Sequence, residues 1–235
     1  MKKSVFAFMA IVLAGFTAAV GLCVQTLFSG QAVAAFSQDS MRIVLDAGHG
    51  GIDGGVTGKT TGLKESDVNL MITQKLYDIL TDIGFEVTMT RKTEAGLYDT
   101  ATKGFKKRDM QRRKEIIESV RPALVISVHQ NFYASKAVRG GQVFYNRKDE
   151  RSHTLSLRIQ DELNELYRAE NVKTRKVSTG DYFMLDCYPC PSVIVECGFL
   201  SNARDEELLN TAFWQMEIAE AIATGIIDYY AEGTA

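Results

Sequence analysis

The run ALVISVH, residues 123–129, is apolar at nearly every position until it meets a histidine. A strand with one wet face alternates apolar and polar residues, whereas a run apolar on both sides of the pleat belongs in a sheet covered on both faces. RIVLDA (42–47) and SVIVE (192–196) have the same character. Between such runs the period changes. SDVNLMITQKLYDIL places Val68, Ile72, Leu76 and Ile79 on one helical face and stops at Gly84. HTLSLRIQDELNELY repeats Leu155, Ile159, Leu163 and Leu166 at the same spacing. RDMQRRKEIIESV reads as a charged helix ending before Pro122; FEVTMT, GQVFYN and YFML read as further strands; helices over about 203–210 and 213–230 close the chain. Strands alternating with helices predict an α/β fold, a single domain whose mixed, mostly parallel central sheet is covered by helices on both faces.

The N-terminus differs from the rest. Lys2 and Lys3 precede an uncharged stretch from Ser4 to Ala35, and Ala32-Val33-Ala34 near its end has the small-x-small pattern of a cleaved export signal. The stretch also exceeds the about 20 residues that span a bilayer. Residues 1–35 are therefore a signal peptide or an N-terminal membrane anchor, with cleavage preferred, and either role places residues 36–235 outside the cytoplasm. The net charge is −2 and no long basic run occurs, which excludes nucleic acid as the expected partner. Beyond the leader, Cys187 and Cys190 have CxxC spacing and Cys197 stands apart. A disulfide, a metal pair and plain buried thiols all fit that pattern.

Chemistry concentrates where apolar runs end. RIVLDA runs into His49, ALVISVH ends on His129 and SVIVE ends on Glu196, and sites of open α/β sheets lie beyond the carboxyl ends of their strands. The glycine-rich GHGGIDGGVTGKT that holds His49 is not a phosphate loop. A P-loop ending in Gly58-Lys59-Thr60 needs glycine at position 53, as does the dinucleotide fingerprint begun by Gly48 and Gly50, and position 53 is aspartate. A catalytic zinc takes three His or carboxylate ligands and leaves a position for water. His49, His129 and Glu65 of GLKESDVNL supply such a set, with Glu196 as general base for the water and then acid for the leaving amine. Each residue also has a plain structural reading: strand-end histidines, a helix-start glutamate favoured by the dipole, a buried hydrogen-bonded acid. Spacing alone leaves both open. His153 reads as a surface residue.

The segments IVLDAGHGGIDGGVTG, GLKESDVNL, VTMTR, ISVHQN, GGQVFY and VIVECGFLSN, in this order over residues 41–230, resemble the zinc-dependent N-acetylmuramoyl-L-alanine amidases of the type 3 family. The resemblance implies a mixed sheet of about six strands in a catalytic domain spanning 41–230, zinc held by His49, Glu65 and His129, and Glu196 as catalytic acid/base. It implies peptidoglycan as substrate, cut at the amide between the muramic lactyl group and L-alanine. The short chain, its leader and the segments GGQVFYN, IQDEL and ECGFLSN are similar to the germination-specific, spore-cortex group of that family. That likeness implies a first step towards muramic-δ-lactam and an activating lipoprotein partner that stabilises zinc binding. Asn131 and Arg91 are carried as substrate-binding candidates, with loop bracing preferred for Arg91. SVHQN lacks the small residues common after this histidine, so the substrate rim near Gln130 is expected to differ. The rival functions are a zinc peptidase of the stem peptide and a non-catalytic wall-binding protein.

Overall fold

The computed structural model describes residues 41–233, so the leader lies outside the described residues. One mixed sheet is built from β1 (Arg42–Ala47), β2 (Glu86–Met89), β3 (Leu124–Asn131), β4 (Gln142–Tyr145), β5 (Ser178–Thr179) and β6 (Ser192–Phe199), in the order β2-β1-β3-β6-β4-β5. β2, β1, β3 and β6 run parallel, and β4 turns antiparallel to β6 with β5 parallel beside it. The helices are α1 (Glu65–Asp82), α2 (Phe105–Val120), α3 (Glu150–Arg168), α4 (Ala203–Leu209) and α5 (Ala212–Gly233). Among the described residues no helix is long and apolar enough to cross a membrane.

The apolar runs earn their places by burial. Ile43, Val44, Leu45, Val125, Ile126 and Val128 are fully buried, as a sheet covered on both faces requires. The stripe of α1 runs through Val68, Ile72 and Leu76 to Leu80, and that of α3 through Leu155, Ile159 and Leu163 to Tyr167. Each stripe thus keeps an unbroken i, i+4 step, and the expected final positions Ile79 and Leu166 lie half-buried beside it. On the opposite face, Ile117 of α2 packs with Val44, Val125 and Ile194 and with Met184, Leu185, Cys187 and Cys190. The three described cysteines are free and buried, so CYPC forms no disulfide. Burial pushes the Cys187 and Cys190 thiols up to about 11, which makes them inert core side chains.

YFML is not a strand. Phe183–Leu185 is one turn of 3₁₀ helix, and the edge strand is the two-residue Ser178–Thr179. Tyr182 and Phe183 are exposed while the adjacent Met184 and Leu185 are buried. Two consecutive residues cannot share a face of a strand, but they can share a face of a helical turn.

α2 also carries a charge inward. Arg113 is 1% exposed; its Nε meets Asp109 Oδ2 at 2.6 Å and its Nη1 meets Asp46 Oδ1 at 2.5 Å. Ser127 and Thr90 hydroxyls donate to Asp46 at 2.6 and 2.7 Å. Burial works to raise the Asp46 carboxyl, but Arg113 and the two hydroxyls outweigh it and hold the pKa at about 2. Arg113→Met leaves the Asp46 charge buried without its counter-ion, and urea unfolding should show a loss of about 3–5 kcal/mol. The lowered Asp46 pKa contributes stability that is complete above its ordinary 3.8 and is lost as pH falls through about 2. Unfolding free energies measured over that window should drop by about 2 kcal/mol more in the wild type than in Asp46→Asn.

Candidate active site

Three neighbouring parallel strands deliver their ends to one place. His129 of β3 stands opposite Glu196 of β6, and Ala47 of β1 stands opposite Val128. One residue beyond β1, the Gly48 N–H donates to the Val128 carbonyl at 3.1 Å, and the His129 ring lies where a Cβ on residue 48 would be. Only glycine admits the ring there. The chain then turns with His49 in the left-handed region, φ 61°, a conformation that disfavours residues bearing a Cβ.

The turn is held through its carbonyls. Ala47 O accepts from Arg91 Nε and Arg113 Nη1, both at 2.8 Å. Gly48 O accepts from Arg91 Nη2 at 2.9 Å and Asn69 Nδ2 at 3.1 Å, and His49 O accepts from Arg113 Nη2 at 2.6 Å. Arg91 Nη2 also reaches Ser66 O at 2.8 Å, tying the turn to the first turn of α1. Arg91 is 3% exposed, with every guanidinium nitrogen committed to a carbonyl. Four of its five N–H donors brace the turn and its surroundings, and Arg91 is not among the residues that line the cleft.

α1 begins at Glu65, whose carboxylate is the meeting point. His129 Nδ1 lies 2.9 Å and His49 Nε2 3.2 Å from its Oε1, and the Val56 N–H donates to Oε2 at 2.9 Å. Burial works to raise the Glu65 carboxyl, but His129 and His49 outweigh it and lower the pKa far below the usual carboxylate range. One ligand atom from each of His49, Glu65 and His129 lies within 4.8 Å of the others. Two imidazole nitrogens and a carboxylate oxygen make a donor set suited to a divalent cation, zinc above all.

Glu196 faces different surroundings. Its Oε2 is buried without a hydrogen-bond partner, and burial raises its pKa to about 7, with Glu65 adding to the rise and the two histidines opposing it. The group is thus poised to take up and return a proton near neutrality. All four residues line a cleft of about 530 Å³, together with Asn131 and, on its walls, Phe132 and Tyr182. Asn131 Oδ1 accepts from the Phe132 N–H at 2.8 Å. Gln130 also lines the cleft; it is 3% exposed and donates its Nε2 to Asn69 at 3.1 Å, which ties this position to α1 beside Glu65. His153 lies away from the cleft, stacked on Tyr145.

Two supporting residues escaped the sequence. Asp53 Oδ2 lies 3.1 Å from His49 Nδ1, and Lys106 Nζ lies 3.1 Å from the other oxygen. A carboxylate on the far nitrogen of a ligating histidine sets its tautomer and ring orientation. Its only sequence signal is the i, i+4 spacing to His49. Asn69, one turn along α1 from Glu65, reaches both the Gly48 carbonyl and Glu65 Oε1, the latter at 3.5 Å.

Residues 43–228 match the Amidase_3 family, N-acetylmuramoyl-L-alanine amidase. The germination-specific N-acetylmuramoyl-L-alanine amidase of Bacillus subtilis (strain 168) is 35% identical over 193 residues, 81% of this chain and 80% of that one. Among solved structures, the CwlD amidase of Clostridioides difficile in complex with the GerS lipoprotein superposes with a TM-score of 0.78 at 36% identity, covering 82% of this chain and 99% of that one. The amidase AmiC2 of Nostoc punctiforme gives 0.68 at 29% identity, covering 81% and 97%.

Asp53→Asn keeps the shape of the side chain but removes the charge that orients His49. Zinc affinity, measured by competition with a chromophoric chelator, should fall about 10- to 100-fold while the fold is retained.

Proposed function

The chain belongs to the N-acetylmuramoyl-L-alanine amidase family and is a peptidoglycan amidase, and on that premise we propose that it is a zinc enzyme of the spore cortex. In this reading it hydrolyses the amide between the muramic lactyl group and L-alanine, as the first step towards muramic-δ-lactam and in the service of germination. The observation that carries the reading is the convergence of His49 Nε2 and His129 Nδ1 on one Glu65 oxygen, with the unpartnered Glu196 carboxylate opposite His129.

His49, Glu65 and His129 would hold the zinc, which when bound polarises the amide carbonyl and lowers the pKa of water to about 7. The protein's own part is proton transfer and placement. The Glu196 carboxylate takes the proton of the attacking water and returns it to the amide nitrogen as the C–N bond breaks. The buried surroundings that raise its pKa let the same group serve as base and then acid. Asp53 and Asn69 hold His49 and Glu65 in place while this happens, and Asn131 on the cleft wall is the remaining candidate for substrate contact.

The cortex assignment is supported by the germination-specific relative from Bacillus subtilis. A lipoprotein partner is supported by the Clostridioides difficile structure, solved with one bound. Residues 1–35, as signal peptide or anchor, would deliver the enzyme outside the cytoplasm, where a cell-wall amidase acts.

Mass spectrometry of muropeptides after incubation of zinc-loaded protein with purified peptidoglycan tests the assignment. The wild type should release peptide-free muramic acid, and Glu196→Gln should do so about 10²- to 10⁴-fold more slowly. Cleavage inside the stem peptide would move the assignment to a peptidase.

A further inference from the structure

Glu206, on α4 just downstream of β6, is a buried carboxylate, 1% exposed, with no lysine or arginine paired to it among the described residues. Burying such a charge is unfavourable unless hydrogen bonds replace the lost water. Here they come from one place. Thr60 N donates to its two oxygens at 3.1 and 3.0 Å, Thr61 N donates at 2.5 Å, and Thr61 Oγ1 donates at 2.7 Å. Residues 60 and 61 are themselves exposed, at the tip of a small hairpin between the His49 turn and α1.

That hairpin is closed by the Thr57–Lys64 bridge and by the Gly58 N–H donating to the Leu63 carbonyl at 2.8 Å. The Glu206 carboxylate presses so closely on it that a Cβ on residue 58 would overlap the acid. At its base Val56 makes two bonds to Glu65: its carbonyl accepts the Glu65 N–H at 2.9 Å, and its N–H donates to Glu65 Oε2 at 2.9 Å. The Gly54 carbonyl accepts the Ser66 N–H at 3.1 Å. α4 is a firm post for such an anchor. Asn202 caps its first turn, and the neighbouring Asp205 is fully buried, accepting from Arg139 Nε and from the N–H groups of Gly140 and Phe199.

We propose that Glu206 is a positioning residue for Glu65: it latches the 57–64 hairpin to the helix behind β6, and through Val56 it fixes the carboxylate on which His49 and His129 converge. The latch thereby links the element that carries a metal ligand to the strand that carries Glu196. The proposal rests on the reading of His49, Glu65 and His129 as a metal site, and it makes its own claim about backbone order.

The test compares wild type, Glu206→Ala and Thr61→Val in the full chain. Thr61→Val, at an exposed position, removes the hydroxyl's bond to Glu206 and the one it accepts from the Leu63 N–H at 3.2 Å, so the Leu63 amide is left out of the exchange comparison. The variant keeps the question open to measurement if Glu206→Ala fails to fold. Two quantities are read: amide hydrogen exchange over residues 54–66 and across β3, and the zinc dissociation constant by chelator competition. The latch predicts faster exchange at 54–66 with β3 unchanged, and zinc binding about 10-fold weaker in Glu206→Ala, with a smaller shift of the same sign in Thr61→Val. Unchanged exchange at 54–66 in the folded variants overturns the latch, as does unchanged zinc affinity beside accelerated exchange, which would make Glu206 a staple of the hairpin alone. A wild type that takes up no zinc sinks the metal reading itself, and the exchange comparison still decides whether Glu206 orders Val56 and Glu65.

Discussion

Three consecutive carbonyls at the end of β1, those of Ala47, Gly48 and His49, are held by two buried guanidinium groups, and the site depends on that clamp. A residue with a Cβ at φ 61° costs on the order of 1–3 kcal/mol. Neutral donors could satisfy one carbonyl each. The planar fork of arginine reaches several at once, and lysine at either position would lose that geometry. Two cations packed together in the interior repel: burial and Arg113 together lower the Arg91 pKa to about 10. Asp46 and Asp109 balance the pair. The turn that carries His49 is thus supported by a charge network, not by the loop's own preferences.

The same fold gives two glutamates opposite electrostatic fates. Glu65 receives two imidazoles and the Val56 N–H, and these outweigh burial and keep it ionised. Glu196, one strand away, has a buried oxygen without a partner, and its pKa rises to about 7. Carboxylates pushed apart in this way are suited to different roles, one as a fixed anion and the other as a group that exchanges a proton near neutrality. Strand order makes the contrast possible. β1, β3 and β6 are adjacent and parallel, so their ends face one cleft from three directions while α1 brings Glu65 in from the side.

Much of this could be read in the chain before any coordinates. Apolar runs ending on His49, His129 and Glu196 predicted both the covered sheet and the place where those residues meet, and aspartate at position 53 ruled out a phosphate loop. The same aspartate proved to be the partner of His49, a role that a local motif test could not suggest. Arg113 lies in a run that reads simply as a charged helix, and it is among the most deeply buried side chains. YFML was apolar enough for a strand, but its aromatic half faces out and its aliphatic half faces in.

Sequence alone determined the five helices, five of the six strands, their order and the residue types at the strand ends, because hydrophobic periodicity is a local property of a chain. The tertiary structure decided which charges are partnered: Arg113 with Asp46 across 67 residues, Glu65 with His129 across 64, and Glu206 with Thr60 across 146. Such pairs leave no periodic trace, since each is set by how strands and helices cross in space. They nonetheless help determine which carboxylate is held ionised and which is raised towards neutrality.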